Sequence, residues 1–534
     1  MILKCLRVVT SVLMAAAITA TGPGSAWAQP APQGSEDGVY TTTPIKHVIV
    51  IFQENISFDH YFGTYPYAAN SSNEPQFYAQ PNTPQPNNLL SGGLLDQNPN
   101  SVQPFRLDRT QALTCDQNHD YTPEQMAVDH GLMDKFPQST GVGSTSGSPC
   151  NDYGHGPGLV MGYYDGNTVT AMWNFAQYYA VSDNFAGTMF GPSTVGALNL
   201  VTGTTTNATL KNGSASGTIA NAASSGAVIG DPDPGYDDCS GATKTHVTMT
   251  GKNVGDLLNV KGVTWGWFQG GFAPTAVSAT GIATCGSTST STIVPALGNV
   301  TDYVPHHEPF QYFQDTANPH HLAPLSVNAI GQTDRANHQY DLSLFYTALA
   351  ENKLPSVTYL KAKAIQNGHP GNSDPLDEQA WLVNVVNAVE KSPYWADTAI
   401  FVTYDDSDGW YDHAMDAIVN QSNASDDALA GPGNCGTTPA NDVPGRCGYG
   451  PRLPLVVISP YAKQNYFDHQ QTDQSSVLRF IEDNWNLGRI GGDSNDEKAG
   501  VLTNLFDFSR NDGRAAKISL DPATGLVITV QQNN

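Results

Sequence analysis

The sequence predicts an α/β protein: a largely parallel central sheet, helices on both faces, and a β- and loop-rich insertion. Three observations carry this. Apolar runs at 46–52, 355–360 (PSVTYL), 398–404 (TAIFVTY) and 454–459 (PLVVIS) read as strands buried on both faces. Segments with helical spacing lie among them, notably 377–391 (DEQAWLVNVVNAVEK) and 474–487 (QSSVLRFIEDNWNL). Buried strands alternating with helices are the pattern of a parallel sheet, in which ligands sit beyond the carboxyl ends of the strands.

From the N-terminus, Lys4 and Arg7 precede an apolar run from Val12 to Ala20, and Ala26-Trp27-Ala28 offers a cleavage site before Gln29. This is the pattern of a signal peptide over 1–28, which places the mature chain in the periplasm or outside the cell. No later segment approaches the roughly 20 apolar residues of a membrane span, so the mature chain has no integral membrane segment. Six cysteines remain after Cys5: Cys115, Cys150, Cys239, Cys285, Cys435 and Cys447. An even number in an oxidising compartment favours disulfides, and pairing of neighbours (115–150, 239–285, 435–447) closes the shortest loops. The formal charge of −25 speaks against nucleic acid and anionic membrane surfaces as partners.

The first strand is expected at 46–52. Residues 64–114, rich in Pro, Asn and Gln, read as a surface excursion. Helices are expected at 123–135, 169–180 and 194–201. Residues 202–300 are rich in Gly, Ser, Thr and Ala and poor in helix signals, so they read as the insertion within a catalytic domain over 29–515. Helix 474–487 has Ser475 or Ser476 as N-cap. Residues 516–534 hold a terminal hairpin around Pro-Ala-Thr-Gly.

Polar groups then collect at one sheet edge. Glu54 and Asn55 follow the first strand, and Asp405 and Asp406 follow 398–404. Ser193 opens a helix after Gly191-Pro192. Gathered together, these oxygens demand a hard divalent cation of the Mg, Ca or Mn class. A helix N-terminus favours an anion, and a cation activates a serine hydroxyl. The combination suggests Ser193 attacking phosphorus, with sulfate esters the nearest chemical rival. His119, His306, His307, His369 and His413 are candidates to steady the phosphoryl oxygens or protonate the leaving group. Each element alone has an ordinary reading: a loop after a strand, a helix cap, a structural histidine. The acidic run 231–238 (DPDPGYDD) reads as a solvated loop before it reads as a calcium site. The esterase elbow, the Walker A loop and HExxH are all missing from the sequence.

Four stretches in order, KHVIVIFQENISFDHYFGTYP, FGPSTVGALNL, YDDSDGWYDH and GPRLPLVVISPYAK, resemble the bacterial phosphoesterase family of secreted acid phosphatases and phospholipases C. The resemblance implies an alkaline-phosphatase-like fold. It implies Glu54, Asn55, Ser193, Asp405 and Asp406 as ligands of one divalent metal ion, with Ser193 also the nucleophile. It implies His119, His307 and His369, with His306 beside them, as contacts to the phosphoryl group. The wording of GPSTVGALNL and CDQNHDYTPEQ is closer to the acid phosphatase branch, so a phosphate monoesterase acting through phosphoserine is the first reading. A phospholipase C acting on phosphatidylcholine-type diesters is the alternative, which makes small phosphorylated substrates or phospholipid head groups the partners. A non-catalytic secreted binding protein on the same scaffold is the third.

Overall fold

β1 (His47–Gln53) is buried at every residue, as expected of an apolar run with no polar alternation. The computed structural model describes residues 38–531 except 145–149, 222–225, 432–433, 437–443 and 510–514. The expected signal peptide lies outside the described residues. The other strands of the central sheet are β2 (Ala180–Ser182), β3 (Trp265–Gln269), β4 (Gln339–Asp341), β5 (Val357–Lys361), β6 (Thr398–Tyr404), β7 (Leu455–Ile458) and β8 (Tyr466–Asp468). Their order is β4-β3-β5-β1-β6-β7-β2-β8. All run parallel to β1 except β7, which pairs antiparallel with β6 and β2. β1 and β6 are in register along their whole length, from His47 opposite Thr398 to Gln53 opposite Tyr404.

Two groups of helices cover the sheet. α2 (Thr170–Tyr178) contacts α5 (Pro375–Lys391), while α3 (Ser193–Thr202) contacts α4 (Val254–Lys261) and α6 (Gln474–Trp485). α5 starts where Asp374 accepts hydrogen bonds from the backbone N–H groups of Leu376 and Asp377. α6 departs from expectation: its cap is Asp473, and Ser476 answers from inside the first turn, completing a capping box. The helix expected at 123–135 ends early, as α1 (Tyr121–Val128), because Asp129 and His130 take left-handed backbone angles.

The glycine-rich region 202–300 is more than an overlying insertion. Ala208–Asn212, His246–Met249 and Asp233–Pro234 do form a small separate sheet. The same region also supplies α4, capped by Asn253 and Asp256, and β3 inside the central sheet. The run Trp265–Gln269 contains Gly266 and lies within Gly- and Ser-rich sequence, which hid its role. Lys517–Leu520 pairs antiparallel with Val527–Gln531 and packs against α5. The disulfides are Cys115–Cys150, Cys239–Cys285 and Cys435–Cys447, the neighbour pairing. Among the described residues, no helix is long and apolar enough to cross a membrane.

A buried carboxyl group braces the strand ends from below. Glu378 on α5 accepts hydrogen bonds from Tyr404 (2.6 Å) and Tyr61 (2.7 Å). Burial pushes its pKa up from 4.5 to about 7, with the tyrosine hydroxyls pulling the other way. Because the folded value is the higher one, the proton stabilises the fold fully below 4.5, and that contribution is lost as pH rises through about 7. Glu378→Gln should therefore flatten the fall in unfolding free energy between pH 5 and pH 8 by up to about 3 kcal/mol in urea titrations. An unchanged slope would mean that Glu378 does not titrate in this window.

Candidate functional site

The site begins where β1 and β6 stop. The Glu54 N–H donates to the Asn367 carbonyl at 2.9 Å, and Asn55 turns the chain with φ of 61°. The Asn55 N–H donates to Asp405 Oδ1 at 3.0 Å, and the Ile56 N–H donates to the Asp406 carbonyl at 2.9 Å. The two strand ends are thus stitched together beyond the last ladder pair. Asp405 Oδ1 also accepts the Asp406 N–H (2.8 Å), and Asp406 Oδ1 accepts that of Asp408 (2.7 Å). Ser193 is the first residue of α3, after Gly191 at φ of 119° and Pro192. Its Oγ lies 3.2 Å from Asp406 Oδ2 and 3.3 Å from Glu54 Oε2. Gly196 permits this approach, since a Cβ there would stand 2.1 Å from the Asp405 carbonyl oxygen. Glu54, Asn55, Ser193, Asp405 and Asp406, predicted from separate motifs, are brought together and buried.

Lys361, which the sequence reading missed, stands among them. It ends β5, beside β1, and its Nζ pairs with Glu54 Oε1 and lies 3.4 Å from Asp405 Oδ2. Burial opposes the ammonium charge, but Glu54 and Asp405 outweigh it and raise the lysine pKa. Burial acts on Asp405 too, yet Lys361 and two backbone N–H groups hold it below the usual range. One lysine is not enough for the others. Burial, then Asp405, pushes Glu54 well up against the pull of Lys361, and Asp406 is likewise well raised by burial. The only sequence signal for Lys361 was a lysine closing an otherwise apolar strand.

These residues fit a hard divalent cation. They offer carboxylate, carboxamide and hydroxyl oxygens with a surplus of negative charge. Asn55 supplies the sharpest mark: its Nδ2 donates to Asp408 Oδ1 at 3.0 Å, while its Oδ1 is buried without a hydrogen-bond partner. A second group, Asp116, His119, His369 and Asp408, presents ligand atoms within 4.8 Å of one another at the rim.

The histidines divide. His307 Nδ1 lies 3.0 Å from Glu54 Oε1, and burial, reinforced by Lys361, holds it well below its ordinary pKa. It is a neutral ring against the cluster rather than an imidazolium. His119 is the opposite case: burial opposes its charge, but Asp406 and Asp408 raise it well above the ordinary value. The His119 ring lies 6.1 Å from that of His369, whose Nδ1 is 2.7 Å from the Pro370 carbonyl. His306 packs edge-on against His307 and lies 3.5 Å from Asp233. His413 does not join them. It is 2.5 Å from Asp59 Oδ2 and 3.2 Å from Arg452, in a buried network with Asp412.

The acidic run 231–238 is also drawn apart rather than gathered around a calcium ion. Asp231 Oδ1 accepts the Thr194 N–H at 2.9 Å, Asp237 pairs with His321, and Asp238 pairs with His320. Glu124 on α1 was unforeseen. Its Oε2 accepts the Gly191 N–H (2.9 Å) and its Oε1 accepts the Ser407 hydroxyl (2.6 Å), tying the Ser193 turn to the Asp405–Asp408 loop.

Breaking a buried pair costs about 3–5 kcal/mol, so Lys361→Met should destabilise the chelated protein by that order. An added divalent cation should recover more stability in the variant than in the wild type. Thermal melts with and without chelator read both, and an equal loss in the two conditions would contradict a shared role of Lys361 and a cation.

Comparison with known proteins agrees with the motifs. Residues 45–488 match the profile of the Phosphoesterase family. The non-hemolytic phospholipase C of Burkholderia pseudomallei is 24% identical over 89% of this chain and 60% of its own length. That of Pseudomonas aeruginosa is 24% identical over 82% of this chain and 53% of its own. Phospholipase C A of Mycobacterium tuberculosis is 23% identical over 88% of this chain and 78% of its own. The chain thus spans a little over half the length of the first two relatives. Among solved structures, murine ectonucleotide pyrophosphatase/phosphodiesterase 5 aligns with a TM-score of 0.30 at 10% identity, over 64% of this chain and 95% of that one. The match across 45–488 carries all four sequence motifs and every residue of the buried oxygen cluster: the chain belongs to the phosphoesterase family.

Proposed function

We propose that the chain is a metal-dependent phosphoesterase that cleaves phosphodiesters in the manner of a phospholipase C, with Ser193 as nucleophile. The observation that carries the chemistry is the Ser193 hydroxyl at the head of α3, within 3.3 Å of Glu54 and Asp406. The diester reading is favoured because the relatives that align along most of this chain are named phospholipases C. The acid phosphatase reading preferred on sequence rested on motif wording and now stands second. The same machinery serves both. An alkaline-phosphatase-like fold is part of this proposal, and the largely parallel sheet with its cluster beyond the ends of β1 and β6 supports it. A periplasmic or secreted location is part of it too, supported by three disulfides.

In this scheme Glu54, Asn55, Asp405, Asp406 and Ser193 would hold a divalent cation, which would supply Lewis-acid stabilisation and ease deprotonation of the Ser193 hydroxyl. The Ser193 Oγ attacks phosphorus as its proton passes toward the carboxylate oxygen of Asp406 or Glu54. The P–O bond to the leaving alcohol breaks, giving a seryl phosphate that still carries the other ester group of the diester. His119, whose Nδ1 lies 3.4 Å from Asp408 Oδ1, is the proton source for the leaving oxygen. His307 and His369, with His306 behind, line the phosphoryl oxygens. Water then attacks phosphorus, passing its proton to the now neutral His119; the P–Oγ bond breaks, Ser193 recovers its proton from the carboxylate, and the phosphate monoester leaves.

Turnover of p-nitrophenylphosphorylcholine and p-nitrophenyl phosphate, each with and without chelator, tests the proposal. The wild type should favour the diester. Ser193→Ala should lose about a thousandfold or more in kcat with the metal content retained in part. Full activity in Ser193→Ala would remove the nucleophile, and turnover confined to the monoester would restore the acid phosphatase reading.

A further inference from the structure

We propose that Asp231 sets the charge of the substrate this site accepts, disfavouring dianionic phosphate monoesters and so leaving monoanionic diesters preferred. The inference deepens the proposed function and rests on Ser193 being the nucleophile. Open N–H groups of a helix's first turn are the natural partners of phosphoryl oxygens. In α3 the N–H next to the nucleophile, that of Thr194, is already taken by Asp231 Oδ1 at 2.9 Å. A carboxylate therefore stands where a phosphate oxygen would otherwise find a donor.

Asp231 is built into place. Proline follows it at 232 and again at 234, fixing the backbone. The Asp233 N–H donates to the Thr245 carbonyl (2.8 Å) and the Gly235 N–H to that of Val247 (2.7 Å), pinning the segment to the small sheet. The Pro232 carbonyl accepts the hydroxyl of buried Tyr312, which also lies 3.5 Å from Thr194 Oγ1. Asp231 itself is half-buried. A phosphate monoester carries a second negative charge above a pKa of about 6, whereas a diester carries one throughout the neutral range. The added repulsion falls on the monoester.

Asp231→Asn separates this role from helix capping, because the carboxamide oxygen can still accept the Thr194 N–H. At pH 8 we expect kcat/KM for p-nitrophenyl phosphate to rise about tenfold in the variant, and that for methyl p-nitrophenyl phosphate to change less than about twofold. Inorganic phosphate, titrated calorimetrically into the protein as purified, should bind about tenfold tighter at pH 8, with the gain shrinking at pH 5.5. Equal changes for the two esters, or unchanged phosphate affinity, would overturn the proposal. A loss of melting temperature in Asp231→Ala alone, with Asn silent, would assign Asp231 to capping. If the wild type turned over neither ester, the proposed function would fail, while the calorimetric comparison would still decide whether Asp231 repels a dianion.

Discussion

The structure depends on one parallel pairing. β1 and β6 run side by side in register until Gln53 faces Tyr404, so the next residues, Glu54 and Asp405, leave the sheet level with each other. The strands are buried on both faces, and the carboxylates they carry are buried with them. Like charges at such an edge repel in a medium that screens them poorly. Everything around the edge answers that repulsion: Lys361 from β5, backbone N–H groups turned toward Asp405 and Asp406, and a neutral carboxamide at Asn55 in place of another acid.

These answers are partial. Lys361 and the backbone satisfy Asp405, which stays ionised, while Glu54 and Asp406 remain pushed up toward protonation. Asn55 Oδ1 has no partner. A cation in contact with these oxygens would remove the imbalance, and the Ser193 hydroxyl lies beside the same two carboxylates, Glu54 and Asp406. The nucleophile is held there by α3, which reaches the strand ends because Gly196 has no side chain, and by Glu124, which grips the turn before it. The energetic problem of the fold and the chemistry of the site are the same feature.

Much of this was legible in the sequence because it is local. A strand announces itself by an apolar run, and its end by the first polar residues, so β1, β5, β6 and β7 and the residues after them could be read directly. Ser193 was marked by the Gly-Pro turn before it. What stayed hidden is tertiary. Lys361 looks like a strand's polar end until β5 is placed beside β1. Glu124 is one acid on an amphipathic helix until Gly191 and Ser407 close on it. β3 is as long as β5, but it carries a glycine at 266 and lies inside a long Gly-, Ser- and Thr-rich stretch, so it could not be told from the insertion. His413 erred the other way: it shares a motif with Asp405 and Asp406, but the chain turns after Trp410 and delivers it to Asp59 and Arg452 instead.

Glu54, Asn55, Asp405 and Asp406 are proposed to form a cation site that Ser193 completes. Elemental analysis of the purified protein by inductively coupled plasma mass spectrometry addresses it most directly, alongside an Asp405→Asn, Asp406→Asn double variant whose fold is checked by circular dichroism. About one divalent ion per chain is expected in the wild type, bound by oxygen ligands, and little in the folded double variant. Full metal content in that variant, or a metal-free wild type that still turns over phosphoesters, would contradict it.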